Sequence, residues 1–325
     1  VLLTGIAGFA GSHIVEHLQA NTDWQIIGLA SFRHRGDALR TDPFDPSRTT
    51  ILHADLTAPI SDRLAERIGD IDLIINAAAE SHVDRSISDP RPFIENNVAV
   101  AITMLEYARL ARPRAFLQVS TDEVYGPAPA HYRSREWDAI VPSNPYAASK
   151  AAQEAIAISY WRTYGVPVVL TNTMNLIGER QDREKYVPSL IADIHAGRTV
   201  TVHGTPGNIG SRFYLHARNH ADALLFLSGR SPTMWDGEVG RPDRYNVVGE
   251  QEVDNLTLAL LVADLLGRPL RYDLLDFHAA RSGHDRRYAL DGTKIADLGW
   301  TPPLSFNASL ETTVAWTLRN PEWLS

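Results

Sequence analysis

The feature that most constrains this chain is Gly5-x-x-Gly8-x-x-Gly11, set between a short apolar run, Val1–Thr4, and a segment of helical spacing, Ser12–Ala20. The first glycine permits a tight turn. The second lets backbone approach a pyrophosphate, and the third lets the new helix pack closely on the strand. A helix start also offers free N–H groups and the positive end of its dipole. With a strand before it and a helix after it, the triplet reads as a dinucleotide-binding turn, the alternative being a plain βα turn. Gly5, Gly8, Phe9, Ala10 and Gly11 are the expected cradle.

The rest of the N-terminal half keeps this rhythm. Trp24–Ala30, Thr50–Asp55, Asp72–Ala78, Arg114–Thr121 and Val166–Thr173 read as apolar strands; Ser61–Ile68, Pro92–Leu110 and Pro145–Tyr164 read as helices. Continuous apolar strands between helices predict a parallel sheet covered on both faces, the doubly wound Rossmann pattern of the α/β class. After Thr173 glycine and proline punctuate Gly204–Gly210 and Ser231–Pro242. Shorter strands are expected at Thr199–His203, Tyr245–Val248 and Leu270–Leu275. Helices are expected at Val187–Ala196, Ala217–Leu227, Asn255–Leu266 and Ser309–Leu318. At 325 residues the chain is long for one core. The expectation is a dinucleotide-binding domain over 1–175 and a smaller mixed α/β substrate lobe over 176–325, some of it packing back on the first, with a cleft between.

Composition narrows the function. A net charge of −8 disfavours a protein that coats nucleic acid or anionic lipid. The absence of cysteine excludes disulfides, zinc–thiolate sites and a cysteine nucleophile. No run reaches the roughly 18 apolar residues of a membrane span. No signal segment is visible, so the cytoplasm is the expected location.

Strand two ends on Ala30 and Ser31, followed by Arg33, His34 and Arg35, where such folds often carry an aspartate for the adenosine ribose. Arginines in place of that carboxylate suit a 2′-phosphate, so NAD and NADP both stand. Asp55 and Leu56, after strand three, are positioned for the adenine edge. Tyr146 and Lys150 sit four apart and share a helix face. A neighbouring ammonium and a cationic nicotinamide ring would favour the phenolate, which could take a sugar hydroxyl's proton as hydride leaves the same carbon. About 25 residues earlier Thr121, Asp122 and Glu123 end a strand, where parallel sheets bind ligands. The threonine would assist the tyrosine. Neighbouring carboxylates tend to have their pKa values pushed apart, which suits an acid–base pair, the bland alternative being a helix cap.

Other motifs carry less. His13-x-x-Glu16-His17 has an inverted zinc-protease spacing, but it lies on the helix that should address the cofactor and no third ligand is signposted, so no metal is expected. Asn255-Leu256-Thr257 and Asn307-Ala308-Ser309 match glycosylation sequons and are expected to start helices. Arg212, beside the glycine loop, and Arg281, Arg286 and Arg287 suggest a diphosphate clamp.

Taken with Ala78-Ala-Glu-Ser-His-Val-Asp-Arg-Ser-Ile87, Ser120–Gly126, Pro145-Tyr-Ala-Ala-Ser-Lys150, Glu184-Lys-Tyr-Val-Pro188 and Gly283–Asp291, these motifs resemble the nucleotide-sugar branch of the extended short-chain dehydrogenases, most of all the dTDP-glucose 4,6-dehydratase family. The adjacent Asp122 and Glu123 are the specific mark; epimerases of the branch share the glycines and the Tyr-Lys pair but usually lack them. The resemblance implies that Tyr146, held by Lys150 and aided by Thr121, deprotonates the sugar O4 during C4 oxidation. Glu123 then takes the C5 proton, Asp122 protonates the departing C6 hydroxyl, and hydride returns to C6. It implies Ala77, Ala78 and Asn97 at the cofactor, and Ser81 and His82 at the sugar. It implies Asn175, Lys185, Arg212, Asn255 and Arg281 at the nucleotide diphosphate, with His203 where an aromatic residue usually meets the base. It further implies a homodimer through Pro92–Leu110 and Pro145–Tyr164. The chain departs from the family at strand two, at His203, at Asn175-Leu-Ile-Gly-Glu179 and at Ser282, all at recognition rather than catalytic positions. A nucleotide-sugar epimerase and a non-catalytic dinucleotide-binding module are the competing readings.

Overall fold

The computed structural model describes residues 1–33, 36–238, 240–276 and 285–324. Strands β1 (Leu2–Thr4), β2 (Ile26–Ala30), β3 (Thr49–His53), β4 (Leu73–Asn76), β5 (Ala115–Thr121) and β6 (Val168–Thr173) lie in the order β3-β2-β1-β4-β5-β6, every neighbour parallel. The chain then forms β7 (Asn175–Ile177), β8 (Val200–Thr205), β9 (Asn208–Ile209) and β10 (Ser211–His216). Next, β11 (Asp243–Val247) returns to the large sheet as its seventh strand, parallel to β6. With β12 (Glu252–Asp254) and β13 (Tyr272–Leu275), the remaining strands build two small sheets, β12-β10-β7 and β13-β8-β9.

The helices are α1 (Phe9–Asn21), α2 (Asp62–Ile68), α3 (Val83–Ser88), α4 (Pro90–Ala111), α5 (Pro145–Tyr164), α6 (Tyr186–His195), α7 (Ala217–Ser228), α8 (Asn255–Leu265), α9 (Thr293–Asp297) and α10 (Phe306–Arg319). Successive side chains of a strand point to opposite faces. Accordingly Leu3, Ile75 and Leu117 pack with Ile14 and Leu18 of α1 and Leu224 of α7. Their neighbours Leu2, Ile74 and Phe116 pack with Met104 of α4 and Trp161 of α5. Both faces are buried, which is why these strands read as unbroken apolar runs. A third core joins α6, α8 and α10 to β8 and β10 through Leu190, Val202, Tyr214, Leu258 and Leu310.

The predicted elements of the large sheet are present, with shifted ends. Helix α1 starts at Phe9 rather than Ser12, because Gly8 takes the extended cap position. Helices α3 and α9 and strands β7, β9, β10 and β12 went unpredicted; strands of two or three residues, such as β7, β9 and β12, cannot display a periodicity. Strand order reverses between β1 and β4, and in such sheets the ligand crevice opens there, beyond the carboxyl ends of the strands.

A buried polar ladder crosses that point. Thr4 Oγ1 donates to Asn76 Oδ1 (2.7 Å) and accepts from the N–H groups of Ala77 and Ala78 (3.0 Å each). Asn76 Nδ2 donates to Gln118 Oε1 (2.9 Å), and Gln118 Nε2 donates to Gln153 Oε1 (3.2 Å). Each partner satisfies the next, so a polar row lies inside the sheet without orphaned donors. It ties β1, β4 and β5 to α5.

Candidate active site

A cleft of about 730 Å³ opens over the ends of β1, β4 and β5 and runs between them and the segment around α6 and β8. That is within the usual range for small-molecule sites. Gly5, Gly8, Phe9, Ala10 and Gly11 form one wall. Gly5 has φ +73°, and a Cβ there would stand 3.0 Å from Ala78 Cα. A Cβ on Gly11 would lie 2.1 Å from the Gly5 carbonyl oxygen, so only glycine lets α1 leave the strand at this angle. Gly8 caps α1 without a side-chain hydrogen bond. The first-turn N–H groups of a helix have no acceptor within it, and here they border the cleft. This cradle fits a dinucleotide pyrophosphate.

Thr121 closes β5, and Asp122 and Glu123 begin a single 3-10 turn, Asp122–Tyr125. Thr121 Oγ1 donates to Asp122 Oδ1 (2.9 Å). Asp122 is buried, and its Oδ2 has no hydrogen-bond partner among the described residues. Burial, then the neighbouring Glu123, pushes the Asp122 carboxyl up to about 7. A neutral acid at the pH of the cell can donate a proton. Glu123 is less buried and accepts from Asn144 Nδ2 (2.9 Å), with the Tyr288 hydroxyl 3.5 Å from the same oxygen. Two adjacent carboxyls thus occupy different environments.

Tyr146 stands in the first turn of α5 and Lys150 one turn on; both line the cleft. The expected mutual arrangement needs correction. Lys150 Nζ donates to the Val119 carbonyl (2.7 Å) and to Gln153 Oε1 (2.5 Å), at the end of the polar ladder. Burial lowers its ammonium to about 8 against the pull of Glu154. Tyr146 is pushed above its ordinary value, first by burial, then by Glu123 and Asp122; its hydrogen bond with Thr121 pulls the other way. The protein alone therefore holds a neutral phenol, because low polarity and two carboxyls outweigh the threonine.

The adenosine end also differs from expectation. Ser31, Asp55 and Leu56 line the cleft, and Arg33 forms an ion pair with Asp55. The arginine's charge is matched within the protein rather than left for a phosphate. Arg35 lies outside the described residues, as does Arg281. Ala77 and Ala78 line the cleft, held by Thr4. Asn97 does not: its amide accepts from Glu80 N (2.8 Å) and donates to Glu80 O (3.0 Å) and Ser149 Oγ (2.8 Å), bracing the turn beneath the cleft. Its neighbour Asn96 is at the surface of the cavity instead.

Ser81, His82, Asn175, Lys185 and His203 all reach the cleft. Lys185 Nζ donates to Ser81 O (3.0 Å), and His82 Nε2 lies 3.6 Å from Glu184 Oε2. Arg212 lines it too, but its guanidinium donates to the carbonyls of Ser211 (2.7 Å), Asp285 (2.5 Å) and Arg286 (2.7 Å) and stacks 4.6 Å over the Tyr288 ring. It fastens the 285–288 segment beside the carboxyls. Asn255 is outside the cleft; it opens α8, and its carbonyl accepts from Tyr186 (3.0 Å). The zinc-like spacing is dispersed: His13 Nε2 meets Glu179 O (3.0 Å), Glu16 pairs with Arg180, and His17 with Asp222 (3.3 Å). Among the described residues no cluster of three His, Asp or Glu could hold a metal. Sequence reasoning missed Ser120, Asn144 and Tyr288. Tyr288 lay inside a motif already singled out; Asn144 carried the available signal, an N-cap residue directly before Pro145.

A model of the NAD dependent epimerase/dehydratase family matches residues 1–247. The chain belongs to that family. It is 33% identical to the dTDP-glucose 4,6-dehydratase of Shigella flexneri, over 100% of this chain and 94% of that protein. It is 36% identical to the low-salt glycan biosynthesis protein Agl12 of Haloferax volcanii, over 99% of each. Among solved structures, DesIV, a dTDP-glucose 4,6-dehydratase from Streptomyces venezuelae with NAD bound, superposes with a TM-score of 0.87 at 34% identity, covering 100% of this chain and 99% of that one.

Proposed function

We propose that this chain is an NAD-dependent nucleotide-sugar 4,6-dehydratase, converting a nucleoside-diphosphate hexose to its 4-keto-6-deoxy form. The observation that carries this reading is the pair Asp122 and Glu123, consecutive at the end of β5, in one cleft with Tyr146. An epimerase has no use for a neutral carboxylic acid at this place. The family shares its fold between both reactions, so the site and not the fold makes the choice.

NAD, when bound, supplies the acceptor for hydride from C4, the donor that returns it to C6, and a positive ring charge. As the phenolate, which that positive charge and Thr121 Oγ1 would favour, Tyr146 Oη takes the proton of the sugar O4. The ketone so formed at C4 acidifies C5, and the Glu123 carboxylate takes the C5 proton. The proton on Asp122 goes to the C6 hydroxyl, which leaves as water, and Glu123, its proton having exchanged with solvent, later protonates C5. Each transfer by a positioned group contributes about 10²–10⁴-fold. The cradle Gly5–Gly11 would hold the pyrophosphate. The Arg33–Asp55 pair, which meets the arginine's charge within the protein, and the NAD bound in DesIV support NAD over NADP. Ser81, His82 and Lys185 would meet the sugar diphosphate, and Asn175 and His203 the nucleoside. A homodimer is supported by α4 and α5, which pack side by side and leave Ile94, Ile102, Leu110 and Tyr164 exposed. A cytoplasmic setting suits an enzyme that draws on nucleotide sugars and NAD.

The test is incubation with candidate nucleotide sugars in deuterated water. Dehydration predicts a 4-keto-6-deoxy product with deuterium at C5. Full turnover by an Asp122→Asn, Glu123→Gln double variant would refute the assignment, and C4 inversion without loss of water would favour the epimerase.

A further inference from the structure

Helix α5 has two jobs at its first residue boundary, and both belong to Asn144. As the N-cap, its Oδ1 accepts from Ala147 N (2.8 Å). Its Nδ2 donates to Glu123 Oε2 (2.9 Å). Asn144 is 5% exposed, so neither bond is easily exchanged for water. The same helix carries Tyr146 two residues later. Its start also points the positive end of the helix dipole at Glu123, and anionic groups are favoured there. The Tyr288 hydroxyl also stands 3.5 Å from that carboxylate oxygen. One oxygen of Glu123 is thereby gripped, and the other is left to act.

We propose that Asn144 is a positioning residue for the elimination half of the reaction: by holding Glu123 Oε2 from the cap of α5, it fixes the base relative to the phenol that performs the first proton transfer. This rests on the dehydratase reading. It predicts a separation that a purely structural cap would not make. Asn and Asp cap helices about equally well, and Ser nearly so. Asn144→Asp therefore keeps the cap but replaces the amide donor with a carboxylate facing Glu123, which repels it. Asn144→Ser keeps the cap and takes the donor out of reach without adding charge.

The experiment is single-turnover kinetics on the NAD-loaded protein with a nucleotide sugar that the wild type dehydrates. Reduced nicotinamide is followed by absorbance and deuterium at C5 by mass. With Asn144→Asp, C4 oxidation should proceed at a rate near that of wild type. C5 proton removal should fall about 10²-fold, the low end of what a positioned base contributes. Reduced nicotinamide should accumulate, and the isotope effect from a C5-deuterated substrate should grow. Asn144→Ser should show the same pattern, at about tenfold. Helicity of both variants should match wild type; thermal unfolding of Asn144→Ser should stay close to it, while Asn144→Asp should unfold at a somewhat lower temperature because its carboxylate is buried beside Glu123. Equal elimination rates in wild type and Asn144→Asp would overturn the positioning role while leaving the dehydratase reading intact. A parallel fall in oxidation and elimination would overturn it too, by making Asn144 a general support of α5. Failure of the wild type to eliminate water from any nucleotide sugar would remove both.

Discussion

Replacing Asp122 by Asn should make the folded protein more stable and the enzyme nearly inactive, from one cause. Asp122 is 3% exposed, and its carboxyl is raised from 3.8 to about 7, by burial first and Glu123 second. Between about pH 4 and pH 7 the folded chain keeps a proton that the unfolded chain has released. The unfolded state then binds fewer protons, so stability falls as pH rises, by about 1.4 kcal/mol per unit. Over about three units this reaches about 4 kcal/mol. Asn has the shape of the neutral acid and no charge to desolvate, so it escapes the loss. Urea unfolding at about pH 8, with cofactor content matched, should show the Asp122→Asn protein more stable by up to about 4 kcal/mol; at about pH 4 the two should converge. Its turnover should drop by about 10²–10⁴, because an amide cannot supply the acidic proton. Wild-type turnover should itself decline as pH rises through about 7, where Asp122 loses that proton. A variant no more stable than wild type near pH 8, with no convergence in acid, would mean that the carboxyl is not raised and that its acid role has no physical basis.

Three further outcomes can be measured. Tyr146→Phe should lower turnover by about 10²–10⁴ while NAD titration shows unchanged binding, since only the phenolic proton acceptor is lost. Gly11→Ala should destabilise the fold by about 1–3 kcal/mol in denaturant unfolding and weaken NAD binding, because its Cβ would stand 2.1 Å from the Gly5 carbonyl. His220, fully buried on α7, has its imidazole lowered from 6.5 to about 4 by burial. The unfolded chain takes up a proton that the folded chain refuses, so stability is lost as pH falls through that window, by about 3 kcal/mol; in His220→Leu the acid limb of the unfolding curve should flatten by that amount.

The layered fold was readable because its signals are local. A strand buried on both faces must be apolar throughout, as in Leu73–Asn76, and a helix on its face repeats with its own period. The strand order was not local, and neither was the return of Asp243–Val247 to the edge beside β6, which joins residues far apart in the chain. The same division runs through the site. Thr121, Asp122 and Glu123 are covalent neighbours, and Tyr146 and Lys150 are one helical turn apart, so spacing alone was enough to bring each set together. Asn97, expected at the cofactor, is outside the cleft lining, because a polar residue in a helix gives no sign of which way it faces; tertiary packing turned its amide onto Glu80 and Ser149.

What the amino-acid order made legible, then, was the set of candidate reactive groups and the glycine turn, since both depend on bond geometry over a few residues. What awaited the folded molecule was the state of those groups. Whether Asp122 is an acid, whether Lys150 faces a phenol or the Val119 carbonyl, and whether Arg33 is free or matched by Asp55 all depend on burial and on partners distant in sequence. Desolvation and charge pairing are properties of a packed volume, and a one-dimensional order carries them only after it has closed on itself.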